Sequence, residues 1–183
     1  MKSIGIKITV IMLCVILLGI IITVGVATII SGNTIIHESE EKVRAETEKQ
    51  GYIMNEWLSN HKATVSAQAA ALSEINDYSE GYLRGILKAG LDSNRVYQDV
   101  YMGFPDNTAI MGSGFAIEEL YDWWRATERD WYKVAMADTS RPGITNLYVD
   151  TATGDLCITV AQAVILDNQV IGVVAIEIGR AHV

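Results

Sequence analysis

Apolar side chains run without a charge from Ile8 to Ile30, and beyond that point they thin into patterns. At 1.5 Å per residue that run makes about 34 Å of helix, enough to cross a bilayer core of about 30 Å. From Asn33 to Ile75 the chain has no proline and one glycine, Gly51, and is rich in the helix formers Glu, Lys, Ala and Gln. Met54, Trp57, Leu58, Val65, Leu72 and Ile75 fall largely on three-four spacing, with His61 and Gln68 in the same stripe. The pattern predicts one long amphipathic helix continuous with the apolar run. It would be about 65 Å long from Asn33, against about 30–35 Å for a domain of the size that follows. Such a helix implies either a dimer stalk or a second module.

Asn76 to Gly81 break the pattern with turn residues, and a short helix is expected over Tyr82 to Leu91. Val96 to Phe104 alternates as a strand. Pro105-Asp106-Asn107 is a turn, and Thr108 to Met111 pairs back. Short helical pieces are expected between Ile117 and Asp138, and a brief strand over Thr145 to Val149. Leu156 to Leu166 and Val170 to Ile178, rich in Val and Ile, form a hairpin around Asp167-Asn168. The fold class is α+β: a helix-flanked antiparallel sheet behind a membrane helix.

Charge orients the chain. Lys2 and Lys7 precede the apolar run; Glu38, Glu40 and Glu41 follow it. Basic residues favour the cytoplasmic side, so residues 1–7 are expected inside, 8–30 in the membrane, and everything beyond outside. A cleaved signal peptide is the rival, but the run is long for an h-region and no small-x-small site ends it. A net charge of −8 argues against nucleic acid and anionic lipid as partners. The overall hydrophobic content of 50% mostly reflects the anchor. Cys14 lies in the anchor and Cys157 in a strand, so no disulfide framework is read.

The candidate chemistry lies in Arg129-Asp130-Trp131-Tyr132 and Tyr148-Val149-Asp150. The set gathers a fixed cation, two large rings, a phenol and a carboxylate. It can hold a small zwitterion: guanidinium takes a carboxylate, an acid takes an ammonium, and rings wall the pocket. The plainer reading is a surface arginine, core aromatics at Trp131 and Tyr132, and an Asp150 that bonds its own turn. Trp123 and Trp124 read as one packing residue and one pocket wall. Gly112-Ser113-Gly114 lacks the spacing and lysine of a phosphate loop. His37 and His61 have no partners at metal spacing, and no activated nucleophile accompanies the carboxylates. No cofactor, metal or catalytic site is expected.

These segments together resemble the double Cache sensor domains of bacterial methyl-accepting chemotaxis receptors, which are PAS-like. The resemblance runs through Gly112-Ser113-Gly114, Thr127-Glu128-Arg129-Asp130-Trp131-Tyr132-Lys133, Tyr148-Val149-Asp150, Thr153-Gly154 and the strand Gly172-Val173-Val174-Ala175-Ile176. In members that bind amino acids, it implies that Arg129 and Trp131 meet the ligand carboxylate. Tyr132, Tyr148 and Asp150 then line the ammonium side. Two positions depart from the family pattern. Trp124 stands where Tyr is usual, and Glu177 stands where Asp usually ends the last strand.

Ile178 to Val183 is an odd strand ending. It matches one reading frame of a common sequencing adapter, ATC GGA AGA GCA CAC GTC, which would also complete the Glu177 codon. Residues 178–183 are therefore expected to be a non-native tail and residue 177 an Asp in the native gene. The expected domains are a stub 1–7, an anchor 8–30, an extracellular stalk helix 31–75 and a membrane-distal sensor module 76–177.

The resemblance implies the ligand-sensing part of a chemoreceptor in the bacterial cell membrane. It would bind an amino acid or amine and dimerise through the long helix. The same sensor type on a histidine kinase or diguanylate cyclase is one alternative. A membrane-tethered structural module without a ligand is the other.

Overall fold

The structure, a computed structural model, describes residues 4–117, 121–151 and 153–179, with the backbone alone over 29–37. The side chain of His37 and the tail residues 180–183 lie outside that description. Helix α1 spans Ile4–Ser73. Its stretch Ile4–Thr28 has a mean hydropathy of 3.1, none of it is buried, and it is long and apolar enough to cross a membrane. The chain divides into two compact units, 1–55 and 56–183. The first is helical throughout its described residues, with exposed i,i+4 pairs such as Arg44–Glu48 at 3.0 Å.

The second unit is built on an antiparallel sheet. After α2 (Glu80–Asp92) come β1 (Tyr97–Gly103) and β2 (Ala109–Met111). A 3₁₀ turn, Ala126–Glu128, leads into α3 (Asp130–Ala137). Then follow β3 (Gly143–Ile144), β4 (Tyr148–Val149), β5 (Leu156–Leu166) and β6 (Gln169–Ile178). The order is β2-β1-β6-β5-β3, with β4 also on β5. Asp167 and Asn168 both hold positive φ, the conformation that a two-residue hairpin loop needs to match strand twist. The PAS-like α+β reading therefore holds.

Of the expected strand over Thr145 to Val149 only Tyr148–Val149, β4, forms, and β3 ends before it at Ile144. The cause lies at Thr145. Its Oγ1 accepts the Thr159 N–H at 2.9 Å while its own N–H donates to the Thr159 carbonyl at 3.0 Å. A side chain there replaces a ladder carbonyl, so the strand is interrupted. The helical stripe also differs from expectation. His61, Val65, Ala69 and Leu72 are buried and Trp57 is partly so, but Met54 is 57% exposed. The covered part of α1 begins where the sheet unit begins.

Strand alternation gives the sheet two buried faces. Val100, Met102, Val160, Val164, Val174 and Ile176 point to one face and pack against α1 and α2 through Val65, Leu72, Leu83 and Leu87. In that apolar layer Ser66 donates to Gln162 Oε1 at 2.7 Å, and His61 Nδ1 lies 3.2 Å from the Tyr97 hydroxyl. Burial lowers the affinity of His61 for its proton. Tyr101, Ala161, Val173 and Ala175 point to the other face, beneath Trp124, Trp131 and Tyr132.

Leu72 is fully buried between α1 and the rest of this core. Leu72→Ala should cost about 2–5 kcal/mol, as for other large-to-small core changes. Leu147→Ala, at an exposed position, should stay within about 0.5 kcal/mol. Chemical denaturation followed by tryptophan fluorescence measures both, since all four tryptophans lie in the sheet unit.

Candidate functional site

Between the second sheet face and the segment leading into α3 lies a cavity of about 260 Å³. Tyr101, Met111, Ile117, Trp124, Glu128, Arg129, Asp130, Trp131, Tyr148, Val149, Asp150, Thr151 and Glu177 line it. Six of the seven expected site residues are thereby brought together: Trp124, Arg129, Trp131, Tyr148, Asp150 and Glu177. Tyr132 is not in the lining. It is buried beside Trp131, ring centroids 5.6 Å apart, and belongs to the core behind the wall. Trp123 is 59% exposed and tilts against Tyr121, so it is not the packing residue expected of the Trp pair.

Local backbone explains the placement of the cation. Arg129 ends the 3₁₀ turn and caps α3 in extended conformation, and its side chain makes no cap bond. The guanidinium donates to Thr151 Oγ1 at 3.2 Å across the cavity lining. One residue into α3, Trp131 lies edge-on to Tyr101 at 5.0 Å. Its ring presses onto the sheet at Gly103, where any Cβ would collide with the indole. Gly103 is thus what lets the ring reach the sheet.

The acid side is built from the sheet and the β4 turn. Glu177 is 5% exposed and pairs across the ladder with Asp99 on β1 and Thr159 on β5. The Tyr148 hydroxyl donates to Glu177 Oε2 at 3.3 Å and shares a 2.6 Å bond with Thr159 Oγ1. The Tyr101 hydroxyl approaches the same Oε2 at 3.5 Å, the outer limit of a hydrogen bond. Asp150 serves its turn as well as the lining: Oδ2 accepts the Thr153 N–H at 2.6 Å. Asp99, also buried, accepts the Val100 and Ser113 N–H groups at 2.7 and 3.1 Å, and the Ser113 hydroxyl. It pins the loop after β2, whose continuation supplies Ile117 to the wall.

The sequence from residue 53 to 182 matches the family model for the methyl-accepting chemotaxis protein-like first PDC sensor domain. The chain belongs to this family. Among solved structures it is similar to the ligand-binding domain of the Campylobacter jejuni chemoreceptor Tlp3 in complex with 4-methylisoleucine. The identity is 20% and the TM-score 0.59, over 69% of this chain and 52% of that one. It is also similar to the ligand-binding domain of the Pseudomonas fluorescens chemoreceptor CtaA in complex with L-valine. There the identity is 24% and the TM-score 0.59, over 69% and 54%. The chain spans about half the length of these structures. No curated protein matches it.

Protonation within this PDC sensor domain follows from burial. Burial first, then the Asp150 charge, pushes the Glu177 carboxyl up to about 7. Burial raises Asp99 despite its hydrogen bonds. The Tyr101 and Tyr148 hydroxyls are driven well above the usual phenol range, so both remain donors. The Cys157 thiol, buried beneath Tyr148, is pushed up to about 12. Tyr101 and Thr159 are the neighbours of Glu177 that motif reading misses. Strand parity finds them, because Tyr101 lies opposite Ala175 and Thr159 opposite Glu177 in the β6 register.

The raised Glu177 sets a pH slope. The folded state holds this proton more tightly than the unfolded chain, whose carboxyl has the ordinary value of 4.5. The stability it contributes is complete below about 4.5 and is lost as pH rises through about 7. Asp99 adds to the same slope from 3.8 upward. Glu177 and Asp99 should therefore pull the melting temperature down from about pH 4.5 to 7.5, against the upward pull of His61, whose proton affinity is lowered on folding. Glu177→Gln should remove part of the downward pull. An equal slope in the variant would contradict a proton held at Glu177.

Proposed function

We propose that this chain is the ligand-sensing part of a transmembrane chemoreceptor, and that the cavity binds a small amino acid or a related amine. One observation carries the reading. A single cavity unites a guanidinium, Arg129, with buried and half-buried carboxylates, Glu177 and Asp150, between aromatic walls. In this reading Arg129 bonds the ligand carboxylate with its planar fork, and the Trp131 indole adds a neutral donor. Tyr148, Asp150 and Glu177 receive the ammonium. Trp124, Met111 and Ile117 leave apolar surface for the ligand side chain. The valine and 4-methylisoleucine complexes of the structurally similar domains support an amino acid of this size.

The anchor in α1 would place the N-terminus inside and the sensor outside the cell, since the basic residues precede the span. The domain plan keeps the boundaries 1–7, 8–30, 31–75 and 76–177, with dimerisation through the long helix. Binding then selects between two arrangements of the sheet against α1. A coupling of about 1–3 kcal/mol is the usual scale for such a step.

Thermal-shift screening of the detergent-solubilised chain against amino acids, amines and organic acids tests the reading. At least one amino acid or amine should raise the melting temperature. Arg129→Ala should weaken a carboxylate ligand by roughly 10- to 100-fold, the range for losing a charged hydrogen bond of about 1.5–3 kcal/mol. Stabilisation by none of these compounds, or an unchanged affinity in Arg129→Ala, would sink it.

A further inference from the structure

On the acid side of the cavity Glu177 is buried close to two other carboxyl groups, Asp99 and Asp150. Glu177 on β6 faces Asp99 and Tyr101 on β1, Cys157 and Thr159 on β5, and Tyr148 with Asp150 at β4. Arg129, Glu128 and Asp130 line the same cavity from the segment leading into α3. Among the described residues no Lys, Arg or His forms an ion pair with Glu177, and its partners are the Tyr101 and Tyr148 hydroxyls and the Cys157 thiol. A carboxylate buried this deeply, near two other acids and with no cation bonded to it, favours its neutral form. An ammonium is the missing partner, and it reverses that preference.

Resting on the amino-acid or amine reading above, we propose that the site exchanges a proton for its ligand. Glu177 is protonated in the empty cavity near neutral pH, and it releases that proton to solvent when the ligand ammonium enters beside Tyr148 and Asp150. The ligand keeps its own charge throughout, so one positive charge leaves the cavity for each one that enters. Sensing thereby becomes dependent on pH. Affinity is nearly constant in the alkaline range and falls as acid conditions return the proton to Glu177. The same chemistry selects ligands that carry an ammonium; a neutral isostere drives no proton out.

Isothermal titration calorimetry of the detergent-solubilised chain tests this with L-valine, L-alanine and methylammonium. Each titration is run at pH 6, 7 and 8 in two buffers of unlike ionisation heat. The wild-type chain should release up to one proton per ligand, most at pH 6 and least at pH 8. Affinity should drop up to about tenfold per pH unit below neutrality. Glu177→Asp keeps an acid and should keep a release of protons. Glu177→Gln should bind more weakly and release none. Binding by the wild-type chain with no proton release at pH 6 overturns the exchange while leaving the ligand reading intact. So does an undiminished release by Glu177→Gln. Failure of every probe to bind overturns both.

Discussion

The period-two alternation of β6 is the constraint on which this domain depends. β6 sits between β1 and β5, hydrogen-bonded on both edges and covered on both faces. Val174, Ile176 and Ile178 must then enter the core against α1 and α2. Val173, Ala175 and Glu177 must point the opposite way, toward the cavity. A one-residue slip would exchange the two sets and drive a carboxylate into an apolar core. The register of the long β5–β6 hairpin, fixed by its Asp167-Asn168 turn, therefore places both the core and the acid.

The same alternation makes room for a cavity. On the cavity side the central strands carry Gly103, Ala161, Ala163 and Ala175, while the other face carries Val, Ile and Met. Small side chains lower the floor, and Trp131, Tyr132 and Trp124 come down from the helical segment to meet it. The aromatic rings pack over this face, and Trp131 reaches the sheet at Gly103. What stays open is the region bounded by Glu177, Tyr148, Asp150 and Arg129. The pocket is thus where the packing layer gives way to polar groups. That is why the Glu177 carboxyl is perturbed: it is buried enough to penalise charge, yet faced by hydroxyls that can bond it.

Much of this was legible in the sequence because it rests on local patterns. The apolar run, the three-four stripe from Trp57 to Leu72 and the Val/Ile hairpin each carry their own periodicity. Arg129 and Trp131 are close in sequence and sit on one short helical entry, so their shared site can be read directly. Tyr132 shows the limit of that reading. Adjacent helical residues point about 100° apart; Asp130 and Trp131 line the cavity while Tyr132 turns into the core, and only the fold decides where that boundary falls. Tyr101 and Thr159 reach Glu177 through pairing between strands far apart in the chain. Their neighbours are set by register, which the motif does not contain. The break between β3 and β4 is similarly non-local, since a threonine hydroxyl takes a ladder position only once Thr159 lies opposite.

Cavity and helix α1 meet opposite faces of one thin layer. Glu177 is flanked in sequence by Ile176 and Ile178, which pack in the cluster that includes Val65, Ala69 and Leu72 of α1. A strand backbone cannot shift at Glu177 without shifting both isoleucines. The core beyond them is close-packed, so it does not absorb such a movement as slack. Around that contact the α1 face is nearly all apolar, with Ser66–Gln162 and His61–Tyr97 as its polar fastenings to the sheet. Apolar contact resists separation but tolerates sliding better than hydrogen bonds of fixed direction do. In the proposed receptor, a charge change at Glu177 would therefore reach α1 as a small displacement of β6. The polar fastenings would hold the register against which that displacement is felt.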